Sequence, residues 1–175
     1  MLKFLKKTYI SGVKIFIFFA LILNGEKIYS QLDQSFYQGD YYFKIGRYEE
    51  AKNEFLKNRE NVRNLLGAAT SARFSGKNSE AVKYYSELIQ KSPDFAEGYF
   101  GRALAYRELE EYNKAINDLK QCIFLEKNEY YYAGLGDLYM LIGKTREARD
   151  VLEDGNRKFP ESTLIKKLLA RSYSK

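Results

Sequence analysis

The sequence predicts an all-α chain assembled from successive helix pairs, and three observations carry that prediction. Small residues stand in register at Gly39, Ala69, Ala103, Gly136 and Ala170, separated by 30, 34, 33 and 34 positions. Around them the pattern repeats: Tyr42, Ala72, Tyr106, Tyr139 and Tyr173 follow three residues later, and Ala51, Ala81, Ala115 and Ala148 twelve later. Phe55, Tyr85, Leu119 and Leu152 come four beyond those alanines. The only two prolines, Pro93 and Pro160, occupy one equivalent position, twelve after Ala81 and Ala148. Self-similarity at a period near 34 residues marks a stack of small units, each unable to bury its apolar face alone.

In chain order, residues 1–30 come first and read as an export signal. Lys3, Lys6 and Lys7 precede the nine-residue apolar run from Ile15 to Leu23, and Ser30 is a small residue at a cleavage point. A charged start, a short apolar centre and a small residue describe a secretory signal peptide. Cleavage after Ser30 is preferred, with a cut after Gly25 as a second choice. A retained inner-membrane anchor is the alternative, but a spanning helix needs about 20 mostly apolar residues. Counting back that far takes in Lys6, Lys7 and Lys14. No Cys lies near the run, which excludes lipid attachment there, and no Asn-x-Ser/Thr sequon occurs, which favours a bacterial over a eukaryotic secreted protein.

Residues 31–175 form the body. Within each unit the small residue and the Tyr lie three apart on one face of a first helix, helix A. The Ala and the large apolar residue lie four apart on one face of a second, helix B. Helices are expected near 32–45, 48–58, 61–75, 78–91, 95–109, 112–125, 129–142, 145–158 and 162–174. Gly46, Gly76 and Gly143 suit a left-handed turn between the two helices of a pair, and Glu110 stands where the third unit lacks that glycine. The first unit is about four residues short, so its second helix or the loop after it is abbreviated. The units run about 32–60, 61–94, 95–128 and 129–161. Residues 162–174, with polar Lys166, Lys167 and Arg171, are expected to cap the end of the stack.

Composition narrows the function classes. The chain has 29 Lys+Arg against 23 Asp+Glu, a formal net charge of +6. Five of those lysines and only Glu26 fall in the first thirty residues, leaving the body 24 bases and 22 acids. So nearly neutral a body does not suggest nucleic-acid binding. The chain has no His and one Cys, Cys122, so an imidazole-based catalyst, a multi-thiolate metal site and an internal disulfide are all excluded. Cys122 falls on helix B seven after Ala115, where packing explains it. Glu49-Glu50 and Glu110-Glu111 fall at turns as solvated helix starts, favoured by the helix dipole. Gly98 and Gly101 lie on a helix, without the strand and Lys that a phosphate loop requires. No constellation supports catalysis, and none calls for a cofactor or metal.

The register resembles that of the tetratricopeptide repeat over residues 32–174. The best local matches are Gly136-x2-Tyr139…Gly143…Ala148-x3-Leu152…Pro160 and Gly39-x2-Tyr42…Gly46-Arg-Tyr48-Glu-Glu-Ala51-x3-Phe55. At the position where the family carries Trp stand Ser35, Leu65, Tyr99 and Tyr132. The resemblance implies a right-handed α-solenoid of four helix–turn–helix repeats plus a C-terminal capping helix. It also implies a non-catalytic module that binds a protein or peptide in its concave groove. Periplasmic or secreted location is expected, with membrane contact only through an uncleaved leader.

Carried over from the family's groove-lining positions, the candidate residues are Phe36, Asp40 and Phe43 in the first repeat. The second offers Arg63, Leu66, Thr70 and Arg73, and the third Glu97, Phe100, Leu104 and Arg107. The fourth offers Tyr130, Ala133, Asp137 and Met140. The family's clamp for chaperone-tail carboxylates requires a basic residue and an Asn where Phe36 and Asp40 stand, so that specificity is not implied. Phe36, Phe43, Phe100 and Tyr130 are expected as apolar anchors, with Arg73 and Arg107 orienting an acidic or C-terminal group. Of the sixteen Tyr, most fall at packing positions of the repeat or in the leader. Tyr37, Tyr41, Tyr84, Tyr130 and Tyr131 remain as candidates for an exposed role. The competing expectation is a membrane-tethered scaffold that assembles an envelope complex through its convex surface.

Overall fold

The computed structural model describes residues 34–174; the leader readings for residues 1–30 lie outside this range. Within it the chain is helices and turns, with no strand among the described residues. Helix α1 covers residues 34–44. It is followed by α2 (Tyr48–Leu56), α3 (Val62–Phe74), α4 (Asn78–Lys91), α5 (Ala96–Glu108) and α6 (Tyr112–Leu125). Then come α7 (Glu129–Leu141), α8 (Thr145–Lys158) and α9 (Thr163–Tyr173). Each of these matches an expected helix to within two residues at either end. The nine-residue α2 is shorter than the 14-residue α4, α6 and α8, as the missing positions of the first unit required.

Consecutive helices pack on one another from α2 to α9, and the first helices of neighbouring units also touch, α3 with α5 and α7 with α9. The result is a two-layer stack, odd-numbered helices on one side and even-numbered helices on the other. Its packing unit is the large residue of helix B wedged between two small residues of helix A. The Phe55 ring fills the space beside Gly39 of its own unit and Gly67 of the next, where an added Cβ would come to 2.6 and 2.7 Å from it. Tyr85 presses in the same way on Gly101 of the following unit, and Leu152 on Gly136 of its own. Ala51, Ala81, Ala115 and Ala148 are fully buried, because only a methyl group fits where the two helices of a pair approach.

The turns follow the expected chemistry. Gly46, Gly76 and Gly143 have φ of 77°, 78° and 77°, and Glu110 is forced to 59° at the same step. Three first helices are capped by side chains at one equivalent position. Asn61 accepts from the Arg63 and Asn64 amides, Asn128 from Tyr130 and Ser162 from Ile165; such caps are each worth about 1 kcal/mol. Between the second helices, Lys52 is buried and bonds Glu49 and Glu80 at 3.1 Å each, while Lys77 reaches Glu49 at 2.7 Å. Glu49 is therefore a working ion-pair partner as well as a helix start. Its carboxyl is held down to about 2, first by the Lys77 hydrogen bond and, against the opposing effect of burial, by Lys52.

Several expectations about individual side chains are corrected. Tyr131 is buried, 3% exposed, in a cluster with Ala96 and Cys122, and that burial raises its pKa. Tyr84 is half-buried and donates to Glu80 at 3.0 Å. Tyr173, expected to pack, is instead 58% exposed, stacked beneath Arg149 and donating to Glu153 at 2.6 Å; no unit follows to cover it among the described residues. Tyr37, Tyr41 and Tyr130 are exposed as expected. Cys122 is fully buried with its thiol 3.4 Å from the Ala96 carbonyl. Burial, reinforced by Asp118, pushes it up to about 12, so it is not a nucleophile at neutral pH. No helix among the described residues is long and apolar enough to cross a membrane.

Candidate functional site: the surface of the first helices

The candidate residues lie on α1, α3, α5 and α7, and their fates divide by what each side chain touches. At one register position Phe36, Leu66 and Phe100 are half-buried on three successive first helices. Each rests partly on the core: Phe36 on Phe55 with ring centroids 5.9 Å apart, Leu66 beside the Leu65–Tyr85 cluster, and Phe100 on Tyr131 at 5.1 Å. Phe43 packs edge-on against Phe74 at 5.2 Å and near Tyr48 at 5.3 Å. Leu104 is half-buried, and Tyr130 is 57% exposed.

Two candidates present no open surface. Met140 is 4% exposed within the core of the last units, against which Leu168 and Leu169 of α9 pack, and Ala133 is equally buried. Thr70 is committed to structure, its hydroxyl 3.0 Å from that of Tyr85.

The charged candidates behave differently from one another. Asp40 is tied to Lys44 at 2.6 Å one turn away. Arg63 is exposed and makes no ion pair among the described residues, and neither does Glu97. Arg73 lies over the Phe74 ring, 4.5 Å from its centroid. Arg107 reaches across from α5 to α7 and donates to Asp137 at 3.0 Å. The other oxygen of Asp137 takes Arg171 from α9. Arg171 was not among the candidates, although its position, one after the small residue Ala170, is equivalent to Asp40, Thr70, Leu104 and Asp137. The register signal was present; the capping role assigned to that helix concealed it.

The arrangement is an open sheet of stacked first helices, apolar along one row and bridged across three helices by a guanidinium–carboxylate–guanidinium chain. Among the described residues no group of three or more His, Cys, Asp or Glu is placed to bind a metal ion.

Stacked helix pairs with an uncovered inner face define an α-solenoid, whose extended concave surface is the usual binding face of such arrays. A family model for the tetratricopeptide repeat matches residues 66–120. The fold is similar to that of MamA, with a TM-score of 0.72 at 20% identity, covering 82% of this chain and 81% of that one. Sequence similarity also extends to the Hsp70-Hsp90 organizing protein 3 of Arabidopsis thaliana, 28% identical over 84 residues, 47% of this chain. A shorter stretch of 49 residues, 28% of this chain, is 39% identical to a UDP-N-acetylglucosamine–peptide N-acetylglucosaminyltransferase of Giardia intestinalis. This chain spans 15% of the former protein's length and 3% of the latter's. Residues 66–120 thus match the tetratricopeptide repeat, and the chain shares the fold of tetratricopeptide arrays, which are typically non-catalytic protein-interaction modules.

Proposed function

We propose that this chain is an exported adaptor that performs no chemistry and binds a protein or peptide segment along the face of its first helices. The observation that carries the reading is the row formed by Phe36, Leu66 and Phe100, apolar side chains left partly uncovered at one register position on three stacked helices. Apolar anchors beside arginine are the residue types that concentrate binding energy at interfaces. Leu104, one turn on from Phe100, and the exposed Tyr130 of α7 add apolar surface beside the row, and Arg63 and Arg73 lie along its second unit.

The test is capture of a partner from envelope extract by the full chain, repeated with Leu104→Ala and Tyr130→Ala combined. Neither side chain is fully buried, so helicity should persist while the captured partner is lost; undiminished capture dismisses the groove. Export is tested by the mass of the mature protein, which should begin at or near Gln31 if the leader is removed. A second reading, a scaffold working through its convex side, draws on Phe124 of α6, which is 82% exposed. Loss of capture with Phe124→Ser, and not with the groove variant, would favour it.

A further inference from the structure

We infer that the segment bound along this face presents a carboxylate, seated between Arg107 and Arg171 at the C-terminal end of the array. The inference rests on the groove reading above and names what the groove selects.

The charge pattern is built by three first helices. Arg107 of α5 and Arg171 of α9 converge on the single carboxylate of Asp137 on α7. Two guanidiniums therefore share one negative charge, and the cluster keeps a surplus of one positive charge. The cluster is open to solvent, its side chains being 40%, 25% and 50% exposed for Arg107, Asp137 and Arg171. A guanidinium carries five N–H donors in a planar fork. Asp137 engages one terminal nitrogen of each arginine, and neither guanidinium makes a further hydrogen bond among the described residues. The remaining donors are free for a second, incoming carboxylate, which matches the fork bidentately.

A third cation reinforces the same end. Lys167 lies one helical turn before Arg171 on α9, exposed and without an ion pair among the described residues. The neighbouring edge is apolar, with Tyr130 at 57% and Leu164 at 37% exposure occupying equivalent positions on α7 and α9. The complementary ligand carries an acidic group with an apolar residue beside it. A basic segment would meet the surplus positive charge and be disfavoured.

The test uses the full chain and fluorescein-labelled short peptides of alternating Leu and Glu, Leu and Gln, or Leu and Lys, read by fluorescence anisotropy. The Glu peptide is expected to bind about tenfold tighter than the Gln peptide, with the gap closing at high salt as screening weakens exposed charge pairs. Arg171→Gln and, separately, Lys167→Gln should each shrink the gap several-fold and leave the Gln peptide unaffected. Lys167 makes no ion pair that its loss would break, so that variant keeps the test valid if Arg171→Gln loosens the cap. Comparing amidated with free C-termini tells a terminal carboxylate from side-chain carboxylates. Equal affinity for Glu and Gln peptides, tighter binding of the Lys peptide, no binding of the Glu peptide, or a gap unchanged in both variants would each overturn the inference. If Leu104→Ala weakens the Glu and Gln peptides equally while no gap exists, the groove stands and its acid preference falls.

Discussion

Glu110 is the residue at which the repeat register and the backbone disagree. Its three counterparts are glycines, and all four positions adopt the same left-handed conformation, which costs an L-residue with a Cβ roughly 1–2 kcal/mol. The Glu110 side chain is exposed and enters no ion pair among the described residues, so nothing evident offsets that cost. Glu110→Gly should stabilise the protein by about 1 kcal/mol, less whatever the freer glycine gains in the unfolded chain. A thermal melt followed by circular dichroism would show it as a raised Tm. The positive φ was foreseeable from the register alone. The fate of Met140 was not, because whether α9 buries a position on α7 depends on how the cap sits, and no local pattern carries that.

At the scale of the helix, stability lies in the wedge of one large side chain between small ones. Gly101 is the sharpest instance. A Cβ there would overlap the Tyr85 ring, and that ring cannot easily retreat, being 1% exposed and bonded through its hydroxyl to Thr70. Gly101→Ala should therefore lower stability by about 1–3 kcal/mol, the usual cost of overpacking, although alanine is the better helix former. A urea titration that leaves the midpoint unchanged would refute the wedge. Helix boundaries were legible in the sequence because caps, turn glycines and apolar spacing all repeat in one register. The wedge partners Gly67, Gly101 and Gly134 share that register and were available to the same reading. Gly101 invited comparison only with a phosphate loop, since its meaning lies in a side chain of the preceding unit.

For the whole molecule, ion pairs join units that are distant in sequence: Lys52 to Glu80, Lys77 to Glu49, Arg59 to Glu87 and Arg107 to Asp137. Glu49 gives them a pH dependence. Its carboxyl ionises with a pKa of about 2 in the fold, against an ordinary value of 4.5. A depressed carboxylate pKa means that the unfolded chain binds the proton more readily. The stabilisation is thus complete above about pH 4.5 and fades as pH falls towards 2. The Tm should drop across that window, and Glu49→Gln should flatten the decline. Because Glu49 is 42% exposed, solvent screening keeps its share modest, and high salt should reduce it further. The fold was readable from sequence at this scale and the binding face only in outline. The residues of that face were named by position, but which of them are spoken for emerged from contacts between helices far apart in the chain.

The same junction chemistry gives the stack a polarity. At internal junctions the incoming large residue meets Gly67, Gly101 or Gly134, with Ser71, Ala105 or Leu138 buried one turn on. On α1 those two places hold Tyr37 and Tyr41, which are 70% and 57% exposed. A unit grafted ahead of α1 would find two phenol rings where its wedge needs a hollow. An engineer lengthening this array would have to rewrite residues 37 and 41 first, whereas duplicating an internal unit would carry its own hollow with it.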